Sequence, residues 1–157
     1  MRVKNVMTKN PSCCVPSDKA PRAASIMRDE DTGIVPVIDN EQSQRIVGVV
    51  TDRDLCMNVV AESRDPASVA VDDCMTTSVV TCLPNDAVAK ATELMKENQI
   101  RRVIVVDEQR RLQGILSMAD LVERGDIKTG ETHDTLKKVS EPNAEPSKPR
   151  ARSRPAA

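Results

Sequence analysis

Twice the chain runs through one pattern, first as Gly48-Val49-Val50-Thr51-Asp52-Arg53-Asp54-Leu55 and, 66 residues later, as Gly114-Ile115-Leu116-Ser117-Met118-Ala119-Asp120-Leu121. Each copy begins as a β-prone run and continues with residues that start helices. Thr51 and Ser117 are of the types that cap helices, and an aspartate three positions later completes a capping box. A carboxylate at such a junction can also accept two hydrogen bonds from a vicinal diol such as ribose. The pattern therefore predicts two strand-to-helix junctions with binding potential.

The repetition extends well beyond this pattern. Val6-Met7-Thr8 returns 68 residues later as Cys74-Met75-Thr76, and Cys14-Val15-Pro16-Ser17-Asp18 returns at the same offset as Cys82-Leu83-Pro84-Asn85-Asp86. A hairpin loop that is two residues shorter in the second copy explains why the offset becomes 66. Because so many matches stay in register, the sequence predicts two copies of one supersecondary unit.

Each copy reads as strand, helix, strand, strand, helix, with caps expected at Ser17 and at Pro84-Asn85. A unit this small cannot bury a full core alone. We therefore expect an α+β (α/β-like) fold of two β-α-β-β-α repeats, packed sheet to sheet with pseudo-twofold symmetry. The expected boundaries are residues 1–64 and 65–125. The pattern ends there, and residues 126–157, which are rich in Pro and basic residues, are expected to be disordered.

Composition narrows the range of partners. The 157 residues contain no Phe, Tyr or Trp, and the formal net charge is −1. Aromatic stacking platforms for single-stranded nucleic acid are therefore excluded, and no overall field favours nucleic acid. No apolar run is long enough to span a membrane, and the N-terminus lacks a signal-peptide pattern, so we expect a cytoplasmic protein.

On these elements the chain resembles tandem cystathionine-β-synthase (CBS) domain pairs, also called Bateman modules. The resemblance covers nearly all of residues 1–125 and includes the openings Met7-Thr8 and Met75-Thr76. It implies a stand-alone regulatory module that binds an adenosine-containing ligand in the clefts between the repeats. AMP, ADP, ATP, S-adenosylmethionine and NAD are the candidate ligands. A homodimer that signals to an unidentified regulated protein is also implied.

The resemblance also assigns the ligand contacts. Asp54 and Asp120 would hold ribose hydroxyls, with Thr51 and Ser117 beside ribose or phosphate. Adenine would be contacted by the preceding strands, at Ile34, Val35, Pro36, Arg102, Val103 and Ile104. Phosphate would be reached by the basic residues Arg101 and Arg102, and Arg53 matches a basic residue that some family members have just before the aspartate. Ile104 stands where the family usually has a proline, and the first repeat has no counterpart of the Arg101-Arg102 pair. The two sites are therefore expected to be unequal.

Two other functions are compatible with the sequence. In a ligand-independent dimeric scaffold, the aspartates would serve only as helix caps. In a thiol-based redox switch, Cys13 or Cys56 would respond to oxidants, although the five cysteines are expected to be free thiols. No metal site is expected, because the cysteines lack paired C-x-x-C spacing. Catalysis is not expected either, because the only histidine, His133, lies in the tail. The basic run at residues 148–154 is either solvated or contacts a partner.

Overall fold

The computed structural model describes residues 1–124 and 129–141. Its helices and strands follow the predicted repeated order, except that the leading strand of the first repeat is reduced to one bridge at Cys14. The elements are a 3-10 helix (Val3–Asn5), β1 (Thr8–Lys9), α1 (Ala20–Asp29), β2 (Ile34–Ile38), β3 (Ile46–Thr51), α2 (Asp52–Leu55), β4 (Thr81–Cys82), α3 (Val88–Asn98), β5 (Arg102–Val106), β6 (Leu112–Ser117), α4 (Met118–Arg124) and α5 (Thr129–Ser140). The helix α2 continues into a π-helical stretch, Cys56–Val60. Short 3-10 helices at Pro66–Ser68 and Val71–Asp73 lie between the repeats. The predicted α/β fold class is confirmed.

The two sheets differ in strand number, and at one of the two edges a proline accounts for the difference. One sheet has the strand order β1-β6-β5-β4, and the other consists of β2 and β3. In the first of these, the amide of Ile104 donates to the carbonyl of Val80 at 3.3 Å, and β4 pairs in parallel with β5. Pro36 occupies the equivalent place in the first repeat and has no amide hydrogen to donate. There the leading strand is reduced to a single parallel bridge between Cys14 and Val37.

Each repeat is completed by the segment that precedes the other. The amide of Lys4 donates to the carbonyl of Pro84 at 2.9 Å, and the equivalent amide of Asp72 donates to Pro16 at 3.0 Å. Val3, with the neighbouring apolar residues Val6 and Met7, is therefore buried in the core of the second repeat. Val69, Val71, Cys74 and Met75 are buried in the core of the first. The two repeats thus exchange their leading segments.

This exchange explains the glycine that opens each copied pattern. Thr8 lies opposite Ile115 in the sheet, and Thr76 forms the equivalent bridge to Val49. A Cβ atom on Gly114 would lie only 2.6 Å from the Thr8 carbonyl oxygen, and one on Gly48 would lie 3.0 Å from that of Thr76. Both positions require glycine because the exchanged Met-Thr segment passes too close for a side chain.

The two sheets face each other across a separate apolar cluster. Its buried members come from both repeats: Ile34, Ile46, Ile104, Val106 and Ile115. At the hairpin ends, the Ile46 amide donates to Arg110 at 3.0 Å and the Leu112 amide donates to Gln44 at 2.9 Å. These reciprocal bonds join equivalent positions of the two halves. The predicted sheet-to-sheet packing with pseudo-twofold symmetry is confirmed.

The predicted caps of the first helix in each repeat are wrong by two residues. The N-cap positions are Lys19 and Ala87 instead of Ser17 and Pro84-Asn85. The carboxylates of Asp18 and Asp86 accept the amides of Val15 and Leu83, both at 2.9 Å. These bonds close a turn that delays each helix.

The prediction of disorder from residue 126 is wrong for α5. Thr135 and Val139 are buried, and Val139 belongs to the core of the second repeat. These residues are four positions apart and so share one face of a helix that packs on α3 and α4. Tertiary packing outweighs the polar composition of this segment. Residues 125–128 and 142–157, with the basic run, lie outside the described residues.

Within the described residues, no helix combines the length and apolar character that crossing a membrane requires.

Candidate functional site

Both strand-to-helix junctions form the predicted capping box. The Thr51 amide donates to Asp54 Oδ2 at 3.0 Å, and the Asp54 amide donates to Thr51 Oγ1 at 3.1 Å. The second junction repeats this arrangement, with Ser117 N–Asp120 Oδ2 at 2.8 Å and Asp120 N–Ser117 Oγ at 3.1 Å. The Ser117 hydroxyl also donates to Asp120 Oδ2, at 2.6 Å. Among residues 1–124 and 129–141, the hydrogen bonds to these two carboxylates all use Oδ2, so Oδ1 can accept hydrogen bonds from a ligand. The cap and a binding role are therefore compatible.

A further bond fixes the first residue of each helix against the start of the preceding hairpin strand. The Asp52 amide donates to the carbonyl of Gly33 at 3.1 Å, and the Met118 amide donates to that of Arg101 at 3.0 Å. Each junction is thus tied to the strand that was predicted to contact adenine. These bonds fix the position of each capping box relative to that strand in the absence of ligand.

The strand register brings the hydroxyl residues beside the predicted strand residues. Thr51 is paired with Ile34, and Ser117 is paired with Arg102. Ile34 belongs to the cluster between the sheets. Because side chains alternate along a strand, Pro36 and Arg102 project from the same faces as Ile34 and Ile104. The structure therefore brings Thr51, Ser117 and these strand residues to the space between the sheets.

Val35 and Val103 face the opposite way. Both side chains are fully buried in the cores between each sheet and its helices. They can offer a ligand only main-chain atoms. At Ile104 the main-chain amide is already bonded to Val80. Of the strand residues predicted for adenine, only Ile34, Pro36, Arg102 and Ile104 direct their side chains between the sheets.

The three basic residues have different surroundings. Arg102 is half-buried and forms no ion pair with any residue in 1–124 or 129–141. Arg101 is exposed, and its Nη2 donates to Ser140 Oγ of α5 at 3.3 Å. Arg53 is exposed in α2, where the second repeat has Ala119. Asp120 is buried, whereas Asp54 is half-buried. The two junctions are alike in backbone and unequal in side chains.

Comparison with known proteins identifies the family. The sequence profile described as "CBS domain" matches residues 3–61 and 71–126. The chain belongs to the CBS domain family. It is similar to the CBS domain-containing protein YhcV of Bacillus subtilis (strain 168), with 34% identity over 119 residues, 76% of this chain and 81% of YhcV.

Two solved CBS structures illustrate the likeness. Hypoxic Response Protein I, solved with two coordinated zinc ions, superimposes with a TM-score of 0.70 at 27% identity, over 79% of this chain and 98% of that protein. CBSX2, solved in complex with AMP, superimposes with a TM-score of 0.64 at 28% identity, over 77% of this chain and 93% of CBSX2. The CBS pair described here therefore shares its fold with an AMP-binding relative.

Two open grooves lie away from the predicted residues of this CBS pair. One, of about 600 Å³, is lined by Lys4, Asn5, Met7, Thr8, Lys9 and Arg124. The other, of about 670 Å³, is lined by Val15, Pro16, Ser17, Asp39, Asn40, Glu41 and Gln42. Neither groove follows from a sequence motif, because each forms only where segments that are distant in sequence meet in the fold: residues 4–9 with Arg124 in the first, and residues 15–17 with 39–42 in the second. A comparison of unmatched positions between the repeats would have shown Lys4 against Asp72.

The cysteines of the CBS pair divide by burial. Burial, and secondarily the nearby carboxylates Asp18 and Asp86, raises the pKa of Cys14 and of Cys82 to about 12. Burial also raises the pKa of the half-buried Cys13. Cys56 is exposed. Across residues 1–124 and 129–141, no group of three His, Cys, Asp or Glu side chains could hold a metal ion.

Proposed function

We propose that this CBS pair is a regulatory module that binds an adenosine-containing ligand between its two sheets. The observation that carries the proposal is the pair of capped carboxylates, Asp54 and Asp120. Each is fixed through Oδ2, with Oδ1 left for the two hydroxyls of a ribose. The likeness to CBSX2, which was solved with AMP, supports the ligand class. The twelve residues assigned by resemblance remain the proposed contacts, with Val35 and Val103 limited to main-chain atoms.

The second-repeat site is proposed to be the stronger for a phosphorylated ligand. Arg102 is half-buried, faces the space between the sheets and is paired in register with Ser117. A guanidinium binds phosphate through two parallel hydrogen bonds. Arg101 would have to leave Ser140 to reach the same phosphate. The first repeat offers Arg53 instead, on an exposed position of α2. We therefore expect two sites of different affinity.

Calorimetric titration with AMP, ADP, ATP, S-adenosylmethionine and NAD tests the proposal. We expect adenine nucleotides to bind, and Asp120→Asn to weaken AMP binding at least about tenfold, because hydrogen bonds to a charged group contribute about 1.5–3 kcal/mol. Asp54→Asn should weaken the other site. Asp86→Asn is the matched control, because Asp86 also accepts an amide three residues earlier but lies outside the proposed sites.

Failure of all five ligands to bind would leave the scaffold reading. In that case Asp54→Asn and Asp120→Asn would lower stability only, as expected for lost caps. The redox reading has its own test. Replacing Cys13 and Cys56 by Ser should abolish any peroxide-dependent change in oligomer size, and the absence of such a change in the original chain rejects the switch.

A homodimer is proposed to form through the second helices of the two repeats. The π-helical extension of α2 exposes Met57 and Val60, and α4 exposes Val122, which is 60% exposed. Exposed apolar residues on equivalent helices fit an interface between copies. Light scattering should give a dimer for the original chain and a monomer for the combined Val60→Glu and Val122→Glu variant. A monomer in both cases contradicts the dimer. A regulated protein would then read changes in this assembly.

A further inference from the structure

Three cationic side chains converge on the groove at the N-terminal edge of the second repeat. Lys4 is the middle residue of the 3-10 helix Val3–Asn5 in the exchanged segment, Lys9 is the last residue of β1, and Arg124 is the last residue of α4. The amide group of Asn5 and the hydroxyl of Thr8 line the same groove, which has a volume of about 600 Å³. All of these polar side chains can donate hydrogen bonds. The groove is therefore furnished for a ligand with many acceptor oxygens.

These positive charges are not neutralised by the parts of the chain that the structure describes. No ion pair there involves Lys4, Lys9 or Arg124, whereas Lys90 and Arg111 are each paired with an aspartate. Like charges that face one groove repel each other, and an anion in the groove relieves that repulsion.

The fold does not require these charges. Lys4 and Asn5 correspond in the first repeat to Asp72 and Asp73, one of which pairs with Arg64 at 3.3 Å. By the same offsets, the counterparts of Lys9 and Arg124 are the uncharged residues Thr77 and Asn58. Both halves build the exchanged leading segment and the capped junction, although their side chains differ at these positions, so the basic character belongs to the groove of the second repeat.

The backbone holds the two lysines in place. The Lys4 amide donates to the carbonyl of Pro84 at 2.9 Å, and Lys9 is paired with Gly114 across the sheet. Arg124 lies in α4, which begins at the capping box of Ser117. The three cations are thus carried by separate elements that pack on one core, and only their side-chain rotamers need to be ordered on binding.

We propose that this groove is a second ligand site, specific for a small polyphosphate or a phosphorylated small molecule. Arg124 would bind phosphate oxygens in a fork, and Lys4 and Lys9 would act as point charges. The site requires no adenosine and uses none of the residues assigned to the ribose sites. An extended nucleic-acid surface is disfavoured, because the chain has a net charge of −1 and no aromatic residue.

Titration of the full chain with sodium tripolyphosphate, followed by calorimetry at constant ionic strength, tests this site. Binding should weaken at least about tenfold in Lys9→Gln and in Arg124→Gln, because each variant removes a charge-assisted hydrogen-bond donor. Lys4→Asp, which copies the first repeat, should abolish it. Lys19→Gln is the control, an exposed lysine that lies outside the groove. AMP binding through Asp54 and Asp120 is measured separately on the same variants, so the two proposals fail independently.

Melting temperatures without ligand and binding of a DNA duplex are the two further measurements. Without ligand, the melting temperatures of Lys9→Gln and Arg124→Gln should equal or exceed that of the original chain, because repulsion is relieved. Retention of full tripolyphosphate affinity in both variants overturns the proposal. Equal losses in Lys19→Gln overturn it as well, since binding would then reflect overall charge. Tight binding of a DNA duplex with no binding of tripolyphosphate would assign the surface to nucleic acid instead.

Discussion

Gly114 is the residue at which the exchanged segment of the other repeat leaves no room for a side chain. A methyl group at this position would meet the Thr8 carbonyl oxygen at 2.6 Å and Met7 Sδ at 2.8 Å. The backbone at Thr8 cannot yield without breaking its pairing with Ile115.

We expect Gly114→Ala to lower the free energy of unfolding by about 2 kcal/mol or more, within the range found for overpacked sites. Urea denaturation provides the measurement. Gly33→Ala is the control, because its new methyl group would meet only the movable carboxylate of Asp52 at 3.0 Å. Equal effects of the two substitutions would contradict the role assigned to the close approach.

The buried thiols give the protein a dependence on alkaline pH. The pKa of Cys14 and of Cys82 rises from 9.0 to about 12 on folding, chiefly through burial. Between these values the unfolded chain has lost protons that the folded chain keeps. Stability should therefore be unaffected below pH 9 and should fall as the pH rises toward 12.

At pH 10, one unit above the unfolded pKa of 9.0, we expect a loss of about 1.4 kcal/mol per thiol relative to pH 7, the equivalent of one pKa unit. Urea denaturation at both pH values measures it. The Cys14→Ala and Cys82→Ala double variant should be less stable at pH 7 but should lose less between pH 7 and pH 10. A loss equal to that of the original chain would show that other groups dominate.

For single residues, the sequence predicted those features that depend only on neighbours along the chain. The spacing of Thr51 and Asp54 was sufficient for the capping box, which is a local structure. The caps proposed at Ser17 and Asn85 were wrong, because Asp18 and Asp86 use their carboxylates to close a preceding turn. The side chain of Val35 points away from the space between the sheets, toward the helices. All five residues of β2 (Ile34–Ile38) are apolar and buried, so the sequence does not reveal which of them face the helices.

The helix α5 shows where composition alone misleads at the scale of an element. Its sequence is polar, and its amphipathic signal rests on few residues. Only the packing of Thr135 and Val139 against the second repeat makes it a stable helix. By contrast, α1, α3 and both hairpins were predicted correctly, because their apolar periodicity repeats in two copies.

We expect Val139→Ala to lower the free energy of unfolding by about 1 kcal/mol, since it removes buried methyl groups from a core. Leu136→Ala, at a position that is 40% exposed on the same helix, should change it much less. Thermal denaturation of both variants measures the difference. If Leu136→Ala were the more damaging, the packing face of α5 would have to be reassigned.

The whole molecule is interleaved, so damage in one sequence repeat should appear in the other structural half. Val3 and Val71 are equivalent positions, and both are fully buried. Val3 belongs to the core beneath β5 and β6, and Val71 belongs to the core beneath β2 and β3.

Val3→Ala should therefore increase amide hydrogen exchange mainly in β5 and β6, and Val71→Ala mainly in β2 and β3. Mass spectrometry of exchanged peptides resolves the two regions. If amide hydrogen exchange rose in the sequence repeat that carries the substitution, and not in the other repeat, the interleaving would be contradicted.

The exchange of leading segments also bears on the origin of the chain. A half-length protein of this design would lack the segment that completes its core and would be complete only when two copies associated. Two identical copies must change together, because every mutation appears in both. Joining them in one chain ends that constraint. Lys4 and Asp72 occupy the same place with opposite charge, a difference that two identical copies could not acquire.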